Sequence, residues 1–231
     1  MNNHFLNGLR TYTFTSKKDV VSYIQSHNTI LVAVNAEKIM RSDEKLKTLI
    51  NANTGYSDGV GAVWALKKKG FKGAIKIPGV ELWFEIVKTL NHSHSFYLIG
   101  STTEVIETTV KKLKVDFPEI NIKGYRNGFF KDGDLDKLKA DLKYLKPEIV
   151  FVAMGSPKQE YLMQDLFASH EAIYQGLGGS FDVYTGKVKR APVFFVKFGL
   201  EWFYRLAKQP ARVGRQIILM KFFWKLMIGK M

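Results

Sequence analysis

Ile149–Glu160 reads IVFVAMGSPKQE. Five apolar residues, β-branched or aromatic for the most part, stop at Met-Gly-Ser, and a proline opens the next segment. A short apolar run without polar alternation is a strand buried on both faces. The Gly-Ser break is a turn, and proline is favoured at the first position of a helix. The stretch therefore predicts a strand over Ile149–Ala153, a loop, and a helix over Pro157–Ala168.

The same unit recurs along the chain. Ile30–Val34 (ILVAV), Phe96–Ile99 (FYLI) and, more weakly, Ala172–Gln175 (AIYQ) read as buried strands. Amphipathic stretches lie between them at Asp43–Asn51, Gly59–Lys69, Val80–Leu90, Thr103–Phe117 and Leu135–Leu145. Alternating strand and helix predicts an α/β fold: a Rossmann-like, mostly parallel sheet with helices on both faces. A basic amphipathic appendage comes after it. We divide the chain into a core over residues 1–190 and the appendage over 191–231. At 231 residues and 46% hydrophobic the chain can bury one substantial core.

Charge is unevenly spread. Lys187 to Met231 carries eleven Lys or Arg and one acid, Glu201, so this end holds +10 of the chain's +14. Phe194, Phe195, Phe198, Trp202, Phe203, Tyr204, Phe222, Phe223 and Trp224 are interleaved with the cations. Such a terminus suits an anionic partner: phospholipid, nucleic acid or a polyphosphate substrate. The last part, IILMKFFWKLMIGKM from Ile217, is too short and too interrupted by Lys221 and Lys225 for the about 18–20 apolar residues of a spanning helix. It fits a segment lying in a bilayer interface, with Lys221, Phe222, Phe223, Trp224 and Lys225 as the contacts. No cysteine is present, which excludes disulfides and thiolate chemistry. The N-terminal stretch has no secretory pattern.

In open α/β sheets ligands gather beyond the carboxyl ends of the strands, where backbone N–H groups and helix N-termini are exposed. The loops expected there are Asn35–Glu37, Ser57–Gly61, Gly100–Thr102, Met154–Glu160 and Gly176–Ser180. Asp58, in SDGVG, reads either as a helix cap or as a carboxylate able to act as general base. Gly155, Lys158, Gln159 and Glu160 read either as an ordinary strand-to-helix turn or as an anion site at the helix start. GLGGSF at 176–181 lacks the third glycine of a dinucleotide fingerprint and comes late in the chain, so no nicotinamide or flavin cofactor is expected. Asp132–Asp136 (DGDLD) can be read as a calcium loop or as an Asp-x-Asp metal site through Asp132 and Asp134, but it fails the calcium-loop pattern, with Lys137 and Lys143 at the sixth and twelfth positions. Its acids fit the first turn of a helix instead. The five histidines are scattered, and no metal site is expected.

Taken together, NAEK (35–38), DG (58–59), GVELW (79–83), NGFF (127–130), MGSPKQE (154–160), GLGGSFD (176–182), RAP (190–192) and LEWFYRLAKQPARVGR (200–215) resemble the WecG/TagA/CpsF glycosyltransferase family. VAVNAEK, VAMGSPKQE and VKRAP are most similar to the branch that transfers N-acetylmannosaminuronic acid in enterobacterial common antigen synthesis. The teichoic-acid branch, which transfers N-acetylmannosamine, tends to have threonine where this chain has Ala33. The resemblance implies an inverting hexosyltransferase, independent of metal and cofactor. Its donor would be a UDP-sugar and its acceptor an undecaprenyl-diphosphate-linked N-acetylglucosamine. It implies Asp58 as the base, Asn35 and Gln159 as orienting groups, and Arg205, Arg212 and Arg215 as cations for the departing diphosphate. Phe130 and Asp182 are weaker candidates for the nucleotide pocket, and Lys158, Arg126 or Arg190 for a uronate. The implied setting is peripheral, on the anionic cytoplasmic face of the bacterial inner membrane, and compatible with a homo-oligomer. Nucleic-acid binding is the rival reading of the basic tail.

Overall fold

The computed structural model describes residues 2–189, residue 195 and residues 213–229, and of 213–217 the backbone alone. Among these residues eight strands form one sheet in the order β1-β2-β4-β3-β8-β7-β5-β6. The strands are β1 (Asn3–Leu6), β2 (Leu9–Tyr12), β3 (Thr29–Val34), β4 (Thr54–Ser57), β5 (Ser95–Gly100), β6 (Asn121–Arg126), β7 (Ile149–Ala153) and β8 (Ile173–Gly176). Only β1 runs antiparallel to its neighbour; every other pairing is parallel. The α/β, mostly parallel architecture is the one expected.

Helices cover both faces, and the strands alternate between them. Ile30, Val32, Val34, Val150 and Val152 face one layer. That layer holds α3 (Glu44–Ala52), α4 (Val60–Lys68), α7 (Asp134–Leu145) and α8 (Lys158–Phe167). Leu31, Phe96, Leu98, Ile149 and Phe151 face the other layer. There lie α1 (Lys17–Ile24), α5 (Gly79–Leu90), α6 (Thr103–Asp116) and the short α9 (Ser180–Tyr184). With both faces covered, the central strands need no polar alternation, which is why their sequences read as continuous apolar runs. Trp83 of α5 is fully buried, with Phe151, Phe181 and Tyr184 set edge-on around it.

Besides α1 and the short α9, four features escaped the sequence reading. The β1–β2 hairpin turns on Asn7-Gly8, both at positive φ, and that pair was the available signal. β6 (NIKGYR) is a half-exposed edge strand, so it lacks an apolar run. β4 is only four residues, and Gly55 in it lies so close to the Arg10 carbonyl that a Cβ would come within 2.5 Å. The fourth, α2 (Ala36–Arg41), starts where a loop was expected, with Asn35 as its cap.

The last helix, α10 (Val213–Met227), packs against α2 and α4. Ile218, Phe222 and Leu226 recur at a spacing of four and are all buried there. Gly61 of α4 makes this possible: a Cβ at that position would stand 3.0 Å from the Phe222 ring. α10 thus closes part of the core.

Candidate active site

Asn35 and Asp58 come directly after a registered pair of neighbouring strand residues, Val34 of β3 and Ser57 of β4. The Asp58 amide donates to the Val34 carbonyl at 2.9 Å, which holds the two loops together. The cap of α4 is Gly59, at φ 127°, a conformation that favours glycine. Asp58 therefore stands one residue before the cap position. Asn35 Oδ1 accepts from the Lys38 amide at 3.0 Å and is committed to capping α2. What Asn35 can offer a ligand is its amide N–H pair.

Gln159 does something its position in sequence did not foretell. It is buried, and its Oε1 accepts from the backbone N–H of Gly155 at 3.1 Å and of Gly178 at 2.9 Å. One side-chain oxygen thereby joins the loops after β7 and β8. Gly176 leaves room for it, since a Cβ there would meet Gln159 Nε2 at 2.4 Å. Nε2 in turn donates to Glu160 Oε1 at 3.3 Å. Expected as a group facing sugar hydroxyls, Gln159 instead acts as a staple beneath the loops.

Glu160 departs from expectation for the same reason. It is 1% exposed and paired with Lys38, whose Nζ lies 2.8 Å from Oε1 and donates to the Ala33 carbonyl at 3.0 Å. It is a buried ion-pair partner rather than an exposed ligand contact. Its other oxygen, Oε2, has no hydrogen-bond partner among the described residues. The chain Asn35, Lys38, Glu160, Gln159 and the two glycines thus ties the ends of β3, β7 and β8 into one floor. In sequence Lys38 is only the last letter of the NAEK motif, because nothing local announces a partner on α8.

Below Asp58, Tyr56 is fully buried, and Gln175 Nε2 reaches its hydroxyl at 3.5 Å. Burial first, and then the negative charge of Asp58 and of Glu160, holds the phenol far above the ordinary tyrosine value. It stays a neutral hydroxyl between two carboxylates. Neither Tyr56 nor Gln175 carried a signal in sequence.

At the other end of the row, Asp182 in the first turn of α9 accepts from Ser101 Oγ at 3.3 Å, joining the loops after β5 and β8. Phe130, after β6, is half-buried under Arg126, whose guanidinium carbon is 4.0 Å from the ring centre. Arg126 also pairs with Asp134 at 3.2 Å. The Lys131 amide and then Arg126 hold the Asp134 carboxyl below its usual value, so the acid is committed to the start of α7. That start is where the first-turn reading put it. Among the described residues, no group of three or more His, Asp or Glu has metal-binding geometry.

Gly155 takes a positive φ of 77° in the turn before α8, whose first residue, Lys158, is exposed. Pro157, expected as the first helical residue, is the cap instead. Arg190, Arg205 and Arg212 lie outside the described residues, as does the side chain of Arg215, which stands in α10. The five residues expected at a membrane divide. Lys221 is exposed and Trp224 is 69% exposed, whereas Phe223 and Lys225 are half-buried. Phe222 is the correction: it is fully buried against Gly61, because α10 needs an inward face to pack on the core.

The chain's loops, caps and buried pair thus converge on the carboxyl edge of one parallel sheet. A sequence model of the glycosyl transferase WecG/TagA/CpsF family matches residues 8–231. The chain belongs to this family. It is therefore a glycosyltransferase, and membership implies in general a nucleotide-sugar donor, a lipid-linked acceptor and a role in polysaccharide synthesis. No helix among the described residues is long and apolar enough to cross a membrane.

Proposed function

We propose that this glycosyltransferase moves N-acetylmannosaminuronic acid, or a related N-acetylmannosamine-type sugar, from its UDP donor to undecaprenyl-diphosphate-N-acetylglucosamine, with inversion and without a metal. The observation that carries the reading is that Asp58 and Asn35 stand on adjacent, hydrogen-bonded loops at the carboxyl edge of the sheet. An acceptor hydroxyl oxygen bonds to the anomeric carbon while the bond from that carbon to the UDP oxygen breaks. The electron pair leaves with UDP, and the hydroxyl proton passes to Asp58. Asn35 donates its amide N–H groups to a sugar oxygen, since its own oxygen caps α2.

Charge on the departing diphosphate needs fixed cations. We assign that role to Arg205, Arg212 and Arg215, on the chain's resemblance to its family. In the Asp132–Asp136 run, Asp134 and Asp136 stand in the first turn of α7, with Asp134 paired to Arg126. Of the described candidate readers of a uronate, Arg126 is the one already paired with an acid. Lys158, exposed at the first turn of α8, is the described cation we assign to the uronate. The exposed side of α10 around Trp224 and Lys221 would bring the cleft to a lipid-borne acceptor at the cytoplasmic face of the inner membrane.

The test is a donor panel with the lipid-linked acceptor: UDP-N-acetylmannosaminuronic acid, UDP-N-acetylmannosamine and UDP-glucose. We expect acceptor-dependent UDP release to be fastest with the uronic acid donor and to fall when Lys158 becomes Ala. Turnover with UDP-N-acetylmannosamine alone would move the protein to the teichoic-type reaction.

A further inference from the structure

Two stretches of this chain contain no acid at all. One is Trp202 to Met231; the other is Gly59 to Val80, which carries Lys67, Lys68, Lys69, Lys72 and Lys76. They are far apart in sequence, and the fold puts one helix of each, α4 and α10, side by side. Trp64 of α4 stands with its ring 5.4 Å from that of Phe223 on α10. Lys68, at the end of α4, donates to the carbonyls of Leu226 and Met227 at the end of α10, to the latter at 2.9 Å.

Lysines at a helix C-terminus are ordinary by themselves, because they favour the dipole. What is not ordinary is the apolar surface they border. With Ile218, Phe222 and Leu226 turned inward, α10 presents Met220, Trp224 and Met227 outward, at 71%, 69% and 79% exposure. Trp64, 50% exposed, continues this face onto α4. Lys67 and Lys69 at the end of α4, Lys72 just after it and Lys221 on α10 are exposed, and Lys68 between the first two is the residue that reaches α10. An exposed apolar face on elements that also carry exposed lysines is a surface for an interface with a negative layer.

We propose that the membrane face of this protein is bipartite. The core domain, through Trp64, Lys67, Lys69 and Lys72, supplies half of a surface for anionic lipid, and α10 supplies the rest, with Lys68 clasping the two. The inference deepens the peripheral-membrane reading and rests on it. It differs from a tail acting alone, because the lipid-binding charge then lies partly on the same rigid body as Asp58. Docking would fix the orientation of the cleft as well as its distance from the bilayer.

The experiment uses the full chain and vesicles of phosphatidylcholine, with and without phosphatidylglycerol, read by co-sedimentation. The variant is Lys67→Glu/Lys69→Glu/Lys72→Glu, with the tail unaltered. Each surface lysine contributes roughly a factor of five to binding an anionic layer, so losing three, and adding three acids, should lower partition into anionic vesicles at least about a hundredfold. Activity on a short-chain, water-soluble acceptor should not change, which also checks that the variant folds. If the triple variant partitions as the parent does while Lys221→Glu/Lys225→Glu is released, the tail alone docks and the proposal fails. If the parent itself ignores anionic vesicles, the membrane reading fails and takes the bipartite face with it. Retention on an RNA oligonucleotide in place of vesicles would reassign the same cations to nucleic acid.

Discussion

Replacing Lys38 with Met tests whether the floor of the site is held by charge. The ammonium lies 2.8 Å from Glu160 Oε1, and the side chains of the pair are 9% and 1% exposed. At the effective dielectric of protein sites, about 20, that contact is worth about 6 kcal/mol of attraction, much of it offset by desolvation. Methionine fills the volume but strands the carboxylate, leaving Gln159 Nε2 at 3.3 Å as its remaining donor. An uncompensated buried charge of this kind costs about 3–5 kcal/mol, a large share of a typical stability of about 5–15 kcal/mol. Lys38→Met/Glu160→Gln removes the charge yet keeps an acceptor for Gln159, and should recover most of the loss. Urea unfolding followed by circular dichroism compares the three chains. If Lys38→Met costs less than about 1 kcal/mol, or the double variant is no better than the single, the ion pair is not what holds the loops.

Four further outcomes are expected from the same structure. Asp58→Asn should lower turnover by at least about a hundredfold with an unchanged unfolding midpoint, and full activity in steady-state assays would remove Asp58 as the base. Turnover should persist in EDTA; its loss, restored by a divalent cation, would return attention to Asp132 and Asp134. Phe222→Ala, emptying the pocket over Gly61, should cost about 3–5 kcal/mol of the docking of α10. Limited proteolysis should then cut within 213–229, and equal resistance in both chains would contradict the packing described. Asp19 is held below the usual carboxylate value by the Thr15 and Ser16 hydroxyls. A depressed folded pKa gives stability that is full above the ordinary Asp value and lost as pH falls through the folded one. Asp19→Asn should therefore flatten the acid side of the stability profile, measured by thermal unfolding from pH 6 down to about pH 2.

Much of the fold was legible because its signals are local. Ile149–Ala153 and the helices on either side of it declare themselves by period and punctuation, and each predicted strand lies within a residue or so of its observed bounds. The site was legible as a row of loops, and Asp58, Asn35 and Gly155 stand in that row. What their side chains do was less legible. Asn35 caps a helix where a loop was expected, Gln159 binds the amides of Gly155 and Gly178 where a role toward sugar hydroxyls was expected, and Phe222 turns away from the membrane side it was expected to occupy.

By itself the sequence determined the alternation of strand and helix, the loops at the carboxyl edge, the family and the basic tail. Each of these depends on neighbours along the chain or on counts that need no coordinates. Only the tertiary structure decided that Lys38 meets Glu160, that Ser101 meets Asp182, and that Lys67–Lys72 join the tail at Trp64. Such pairings are fixed by strand order, which places β3 beside β8 and β7 beside β5. A buried charge shows no preference for its partner until burial makes an unpartnered one too costly to keep.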